Sequence, residues 1–206
     1  MAEKLLSFIR GKKLILFGEM HGTNEIPALL SHLFQELAQK EDFTVCLEIP
    51  QEFQEIALKD MLSYAQKIGT SGLLSPAYIQ LIKALPKNVR VLYIAPNEVQ
   101  NQEALERSLA DTIQKSLSTT RTCAILGNIH ASKKKIILND LTITPAGLLL
   151  SQKLKDQVVS ILFKPKKGTF YNNGIGTVEY AENDLFDTHF DYVCELEQVS
   201  PCSVEK

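Results

Sequence analysis

Runs of residues that are almost wholly apolar recur along this chain, at 14–17, 43–50, 89–97, 122–130, 157–163 and 190–196. They carry little polar alternation, which suits strands covered on both faces, and such strands belong mostly to parallel sheets with helices above and below. Between them the period changes to that of a helix. Ile26, Leu29, Leu30, Leu33, Phe34 and Leu37 mark one stripe, and Leu105, Leu109, Ile113 and Leu117 fall four apart on another. Further helical stretches are predicted over 1–10, 51–68, 76–85 and 145–154, with Gly69 to Gly72 breaking the second of these. Residues 136–138 offer a short extra strand. Gly168, Asn172-Asn173-Gly174 and Gly176 predict a hairpin or irregular segment over 166–180. Strands alternating with helices imply βαβ units, hence a single α/β domain over 1–206 with a mostly parallel sheet flanked by helices.

The first strand ends abruptly in Gly18-Glu19-Met20-His21-Gly22-Thr23-Asn24-Glu25. Two glycines allow a tight turn, Thr23 or Asn24 can cap the next helix, and Pro27 sits in its first turn. The second strand also delivers a carboxylate, Glu48, before Pro50 stops the ladder. The fourth exits through Gly127-Asn128-Ile129-His130, repeating the Gly-x-x-His spacing of the first. Glu19, His21, Glu48 and His130 are therefore expected at one sheet edge, the carboxyl edge where open α/β sheets bind ligands. Two chemistries suit that set. His21, Glu48 and His130 could ligate zinc, manganese or iron. Without a metal, a histidine can take a proton from water while a carboxylate orients its ring. His32 lies outside the main stripe of its helix and reads as a surface residue.

Charge narrows the partners. Twenty-two basic and 24 acidic residues leave a formal net charge of −2, which gives nucleic acid no basic stripe to bind. Lys133-Lys134-Lys135 reads as a solvated lip. No apolar run approaches the roughly 20 residues needed to span a bilayer, and the first residues do not read as a signal peptide, so a cytoplasmic protein is expected. Cys46, Cys123, Cys194 and Cys202 lack CxxC spacing and read as reduced packing residues. No GxGxxG follows the first strand, which argues against dinucleotide binding.

The motif from Gly18 to Glu25 resembles the opening motif of the superfamily that contains erythromycin esterase-like proteins, ChaN-like haem-uptake proteins and the TIKI/TraB group. Leu47-Glu48 is similar to its second-strand glutamate, Glu106 to Ala110 to its Arg-x-x-(Met/Leu)-Ala helix, and Gly127 to Ala131 to its later histidine motif. Ala146-Gly147-Leu148-Leu149-Leu150 and the stretch from Phe190 to Pro201 resemble the small-Gly-x-x-Leu helix and the closing strand. The resemblance implies an active cleft of Glu19, His21, Glu48 and His130, with Glu25, Arg107 and Asn128 nearby on the substrate. Asn128 to His130 offers one histidine where those esterases tend to show two. The implied activity is hydrolysis of an ester, lactone or amide in a small-molecule or peptide substrate, assisted by a divalent metal or not. The alternative is a non-catalytic protein that binds haem in the same cleft.

Overall fold

The structure, a computed structural model, describes residues 2–63, 74–117, 120–138, 141–172, 174–179 and 184–202. Its centre is a six-stranded sheet in the order β10-β7-β1-β4-β2-β3. These strands are β1 (Leu14–Glu19), β2 (Phe43–Pro50), β3 (Val89–Ala95), β4 (Arg121–Gly127), β7 (Val158–Pro165) and β10 (Tyr192–Leu196), and every pairing among them is parallel. Strand β1 is buried at all six positions, as its unbroken apolar run predicts. Ile15 and Phe17 enter one core with Phe34, Phe43 and Phe163, whereas Leu14 and Leu16 enter a second with Leu109, Ile113 and Leu150. In the first core Phe17 stacks on Phe163 and meets Phe34 edge-on, both with ring centroids 5.8 Å apart.

The first core is covered by α1 (Ala2–Phe8), α2 (Glu25–Ala38) and α3 (Pro76–Ala84), and the second by α4 (Gln102–Ser116) and α6 (Ala146–Leu154). A one-turn helix, α5 (Asn128–Ala131), follows β4 directly. Among the described residues there are also two antiparallel pairs: β5 (Ile136–Leu138) with β6 (Leu141–Ile143), and β8 (Lys167–Tyr171) with β9 (Ile175–Glu179), the second lying where the glycine and asparagine cluster places a hairpin. All four cysteines are buried thiols outside any disulfide. Burial pushes the Cys46 and Cys194 thiols up to about 11, so neither is a thiolate nucleophile near neutral pH. Among the described residues no helix is long and apolar enough to cross a membrane.

Two boundaries differ from the sequence reading. Gln51–Glu55 is a 3-10 turn rather than the start of an α-helix. Its polar groups are spent on the β3 edge, since Gln51 Nε2 donates to the Ile94 carbonyl and Gln54 Oε1 accepts from the Tyr93 amide. The remainder of that expected helix past residue 63, and the glycine break at 69–72, lie outside the described residues. The fourth strand stops at Gly127 rather than reaching His130, because the Gly127 amide turns to the Glu48 carboxylate and the chain coils at once into α5.

Candidate functional site

Strands β1 and β4 are neighbours, yet the chain leaves them in opposite directions. After β1 it crosses to β2 through α2 on one face; after β4 it crosses to β7 through α6 on the other. Such a reversal opens a crevice at the carboxyl ends of the two strands. His21 stands just past β1 and His130 on α5 just past β4, so the crevice brings together the two histidines of the repeated Gly-x-x-His spacing. Glu48, near the end of β2, lies on the other side of β4.

The four side chains expected to meet do meet. Glu19 Oε1 lies 2.6 Å from His21 Nδ1. The other imidazole nitrogen, His21 Nε2, lies 3.8 Å from Glu48 Oε2, and the other Glu48 oxygen, Oε1, lies 3.3 Å from His130 Nε2. The Gly127 amide donates to Glu48 Oε2 at 2.7 Å and fixes that carboxylate between the two rings. Gly127 has no room for a side chain: a Cβ there would come within 2.9 Å of His21 Nε2 and 3.4 Å of His130 Cδ2.

A fifth member is absent from the expected set. Glu106, 1 % exposed on α4, lies with its Oε1 2.7 Å from His130 Nδ1, and it also accepts from Gln102 Nε2 at 2.7 Å and from the Ala146 amide at 2.8 Å. The cluster thus reads Glu19, His21, Glu48, His130, Glu106, with each ring held at Nδ1 by its own buried carboxylate and both turned at Nε2 toward a shared one. It runs from one helical layer across the sheet edge to the other. The sequence carried a signal for Glu106: it falls in step with Leu109, Ala110 and Ile113, a carboxylate on an otherwise apolar buried stripe. Tyr78 of α3 is a second unforeseen neighbour. Burial first, then the adjacent Glu19 carboxylate, then Glu48 push its phenol well above 10.

The environment sets the protonation of both rings. Burial alone would lower the His21 pKa; the charge and hydrogen bond of Glu19 and the charge of Glu48 outweigh it, His130 works against them, and the result lies above 6.5. At His130 burial again opposes, and Glu48 and then Glu106 carry the pKa to about 9.

Three residues expected on the substrate lie elsewhere or nearby. Arg107 is exposed on α4 and pairs with Glu103 one turn back, Nη2 to Oε1 at 2.6 Å; its neighbour Glu106 takes the inward position. Glu25 spends its carboxylate on Ser200, accepting from the amide at 2.8 Å and from the hydroxyl at 2.6 Å. Asn128 opens α5, half-buried, with its backbone against Gly18. Among the described residues no three His, Cys, Asp or Glu side chains are arranged to hold a metal ion. In the cluster itself His21 Nε2 and His130 Nε2 lie 3.8 and 3.3 Å from the Glu48 oxygens; an ion held by these three residues would stand about 2.0–2.2 Å from each ligand.

No protein-family model and no curated protein sequence matches the chain. Solved structures do. A succinoglycan biosynthesis protein superposes with a TM-score of 0.70 at 12 % identity, covering 98 % of this chain and 92 % of that one. An erythromycin esterase mutant in its open conformation gives 0.61 at 11 % identity over 85 % of this chain and 78 % of the other. ChaN of Campylobacter jejuni with cofacial haem gives 0.57 at 16 % identity over 93 % and 90 %. The likeness is one of fold, and it is the fold that the opening motif implied.

Proposed function

We propose that this protein is a hydrolase that activates water against an ester, lactone or amide of a small molecule or peptide. One observation carries the reading: two imidazoles, each oriented by a buried carboxylate, face a single carboxylate in the crevice between β1 and β4. A carboxylate on Nδ1 fixes the tautomer that leaves Nε2 free for proton transfer. His130, with a pKa of about 9, is the acid. His21, raised above 6.5 by Glu19 and Glu48 against burial and the His130 charge, acts in its neutral form as the base. In this mechanism His21 Nε2 takes a proton from water as the water oxygen attacks the substrate carbonyl carbon. His130 Nε2 then gives a proton to the departing oxygen or nitrogen. Glu48, with one oxygen toward each ring, returns the proton from His21 to His130 and restores the starting state. No step is routed through a metal.

The rival reading is haem binding, since a ChaN structure of this fold holds haem and an imidazole backed by a carboxylate at Nδ1 is suited to ligate iron through Nε2. Purified protein assayed against a panel of esters, lactones and amides, and titrated separately with haem, decides between them. Turnover that His21→Gln lowers by roughly 10²–10⁴-fold supports hydrolysis. A Soret shift lost in the same variant, with no turnover in the panel, supports haem binding instead.

A further inference from the structure

The loop that carries His21 is fastened by a clasp from residues 199–202. The Gly22 carbonyl accepts two amides, from Tyr171 at 3.0 Å and from Cys202 at 2.8 Å. The Asn24 amide donates to the Ser200 carbonyl at 3.1 Å, and its side-chain nitrogen donates to the Pro201 carbonyl at 2.9 Å and to the Ser200 hydroxyl at 3.2 Å. Thr23 and Pro201 form an antiparallel bridge. Glu25 holds the Ser200 amide and hydroxyl, one on each oxygen. On its far side the same segment bridges Val199 to Gly168 at the base of the β8–β9 hairpin, where the Thr169 amide reaches the Val199 carbonyl at 3.1 Å. Gly22 permits this junction. Its φ of +80° is favoured by glycine, and a Cβ there would strike the Tyr171 carbonyl.

From this we infer that Glu25 and Ser200 are positioning residues for His21, and that Glu25 acts by anchoring residues 199–202 rather than by touching substrate. His21 reaches the crevice from a five-residue turn between β1 and α2. Glu19 fixes its ring at Nδ1, but the direction of Nε2 toward Glu48 and the crevice depends on where the backbone at 21 and 22 lies. Ser200 is paired to Asn24 and Glu25 by both backbone and side chain, so the clasp sets that backbone from the α2 side. The charge on Glu25 serves those two donors, and a misplacement of the order of 1 Å at a reacting group costs about 10²-fold in rate.

The inference rests on the hydrolase reading for its kinetic arm and not for its spectroscopic one. In Glu25→Ala, kcat falls by ~10-fold or more with KM within ~2-fold of the parent, the signature of lost positioning rather than lost binding. Glu25→Gln keeps an acceptor for the Ser200 amide and can donate to the Ser200 hydroxyl, so it recovers most of that loss. Ser200→Ala, which removes only the hydroxyl, falls between the two and covers the case in which Glu25→Ala does not fold. Without any substrate, the ¹⁵N signature of the His21 ring at neutral pH departs from the parent in Glu25→Ala and Ser200→Ala and returns toward it in Glu25→Gln. If Glu25→Gln is as damaged as Glu25→Ala with KM raised, Glu25 binds substrate by its charge and the inference is overturned. A His21 signature unchanged in Glu25→Ala and Ser200→Ala overturns it as well. If the ring signatures shift as expected while no variant, nor the parent, turns over any ester, the clasp stands and the hydrolase reading falls.

Discussion

The two histidines are held by the same device, built in two different ways. Glu19 and His21 are two residues apart, on the last residue of β1 and the turn beyond it, so their 2.6 Å contact is made by local chain geometry. His130 and Glu106 are 24 residues apart, and their 2.7 Å contact exists only because α4 packs across β4 and α5. The first pair is formed wherever the strand and turn form. The second requires the whole layer above the sheet to close, and with it the Ala146 amide at the start of α6, which Glu106 also holds. Half of the cluster is thus secured by covalent proximity and half by tertiary packing.

The largest test of this contrast is Glu19→Gln. An amide on Nδ1 can turn its N–H toward the ring, which moves the ring proton to Nε2 and removes the base, so kcat/KM drops by roughly 10⁴-fold while the melting temperature changes little. Glu106→Gln breaks the other half in the opposite proportion. Glu106 satisfies three donors, and a single amide oxygen leaves one of them facing an N–H, so stability falls by about 1–3 kcal/mol, whereas the rate falls by only ~10–100-fold. The upper pH limb of kcat/KM moves below 9 in that variant, because Glu106 no longer raises the His130 pKa.

The pH dependence sharpens the contrast further. A His130 carried from 6.5 to about 9 stabilises the fold by roughly 3 kcal/mol at pH below 6.5, and that contribution is lost as pH rises through about 9. His21, also raised, has the same sign. Activity needs His21 neutral and His130 charged, so kcat/KM climbs on the alkaline side of 6.5 and declines above about 9, over the interval in which thermal melts show stability draining away. The smallest effect belongs to Arg107→Ala. Its pair with Glu103 is an exposed i, i+4 contact, so stability changes by no more than about 0.5 kcal/mol and turnover is unaltered.

Strand-terminal residues were legible because apolar runs locate strand ends, and a parallel sheet aligns those ends on one edge. That logic identified Glu19, His21, Glu48 and His130. It does not reach Glu106: the spacing of Leu105, Leu109, Ile113 and Leu117 predicts one stripe, whereas the buried face runs through Glu106, Leu109, Ala110 and Ile113. A rotation of one residue put the carboxylate inside and left Arg107, adjacent in sequence, in solvent. Glu25 is a different case. Its spacing from His21 places it on the first turn of α2, but its partner Ser200 is 175 residues away, and no local pattern announces such a contact. Tyr78 follows a stretch outside the described residues and reaches the cluster only through the packing of α3 on α2.

Gly127 bears on how variation in this chain would be interpreted. Its amide holds Glu48 while its missing side chain leaves the gap occupied by the His21 ring. A substitution there keeps the donor and removes the space. The nearest obstacles are the His21 and His130 rings, so the strand itself has little reason to yield; the added methyl would tip the base away from its partner instead. A mutational survey should therefore find one of its most sensitive positions at a residue with no functional group at all. Surveys that replace side chains by alanine would treat Gly127→Ala as a minor change, when it is a wedge driven between the two halves of the machine.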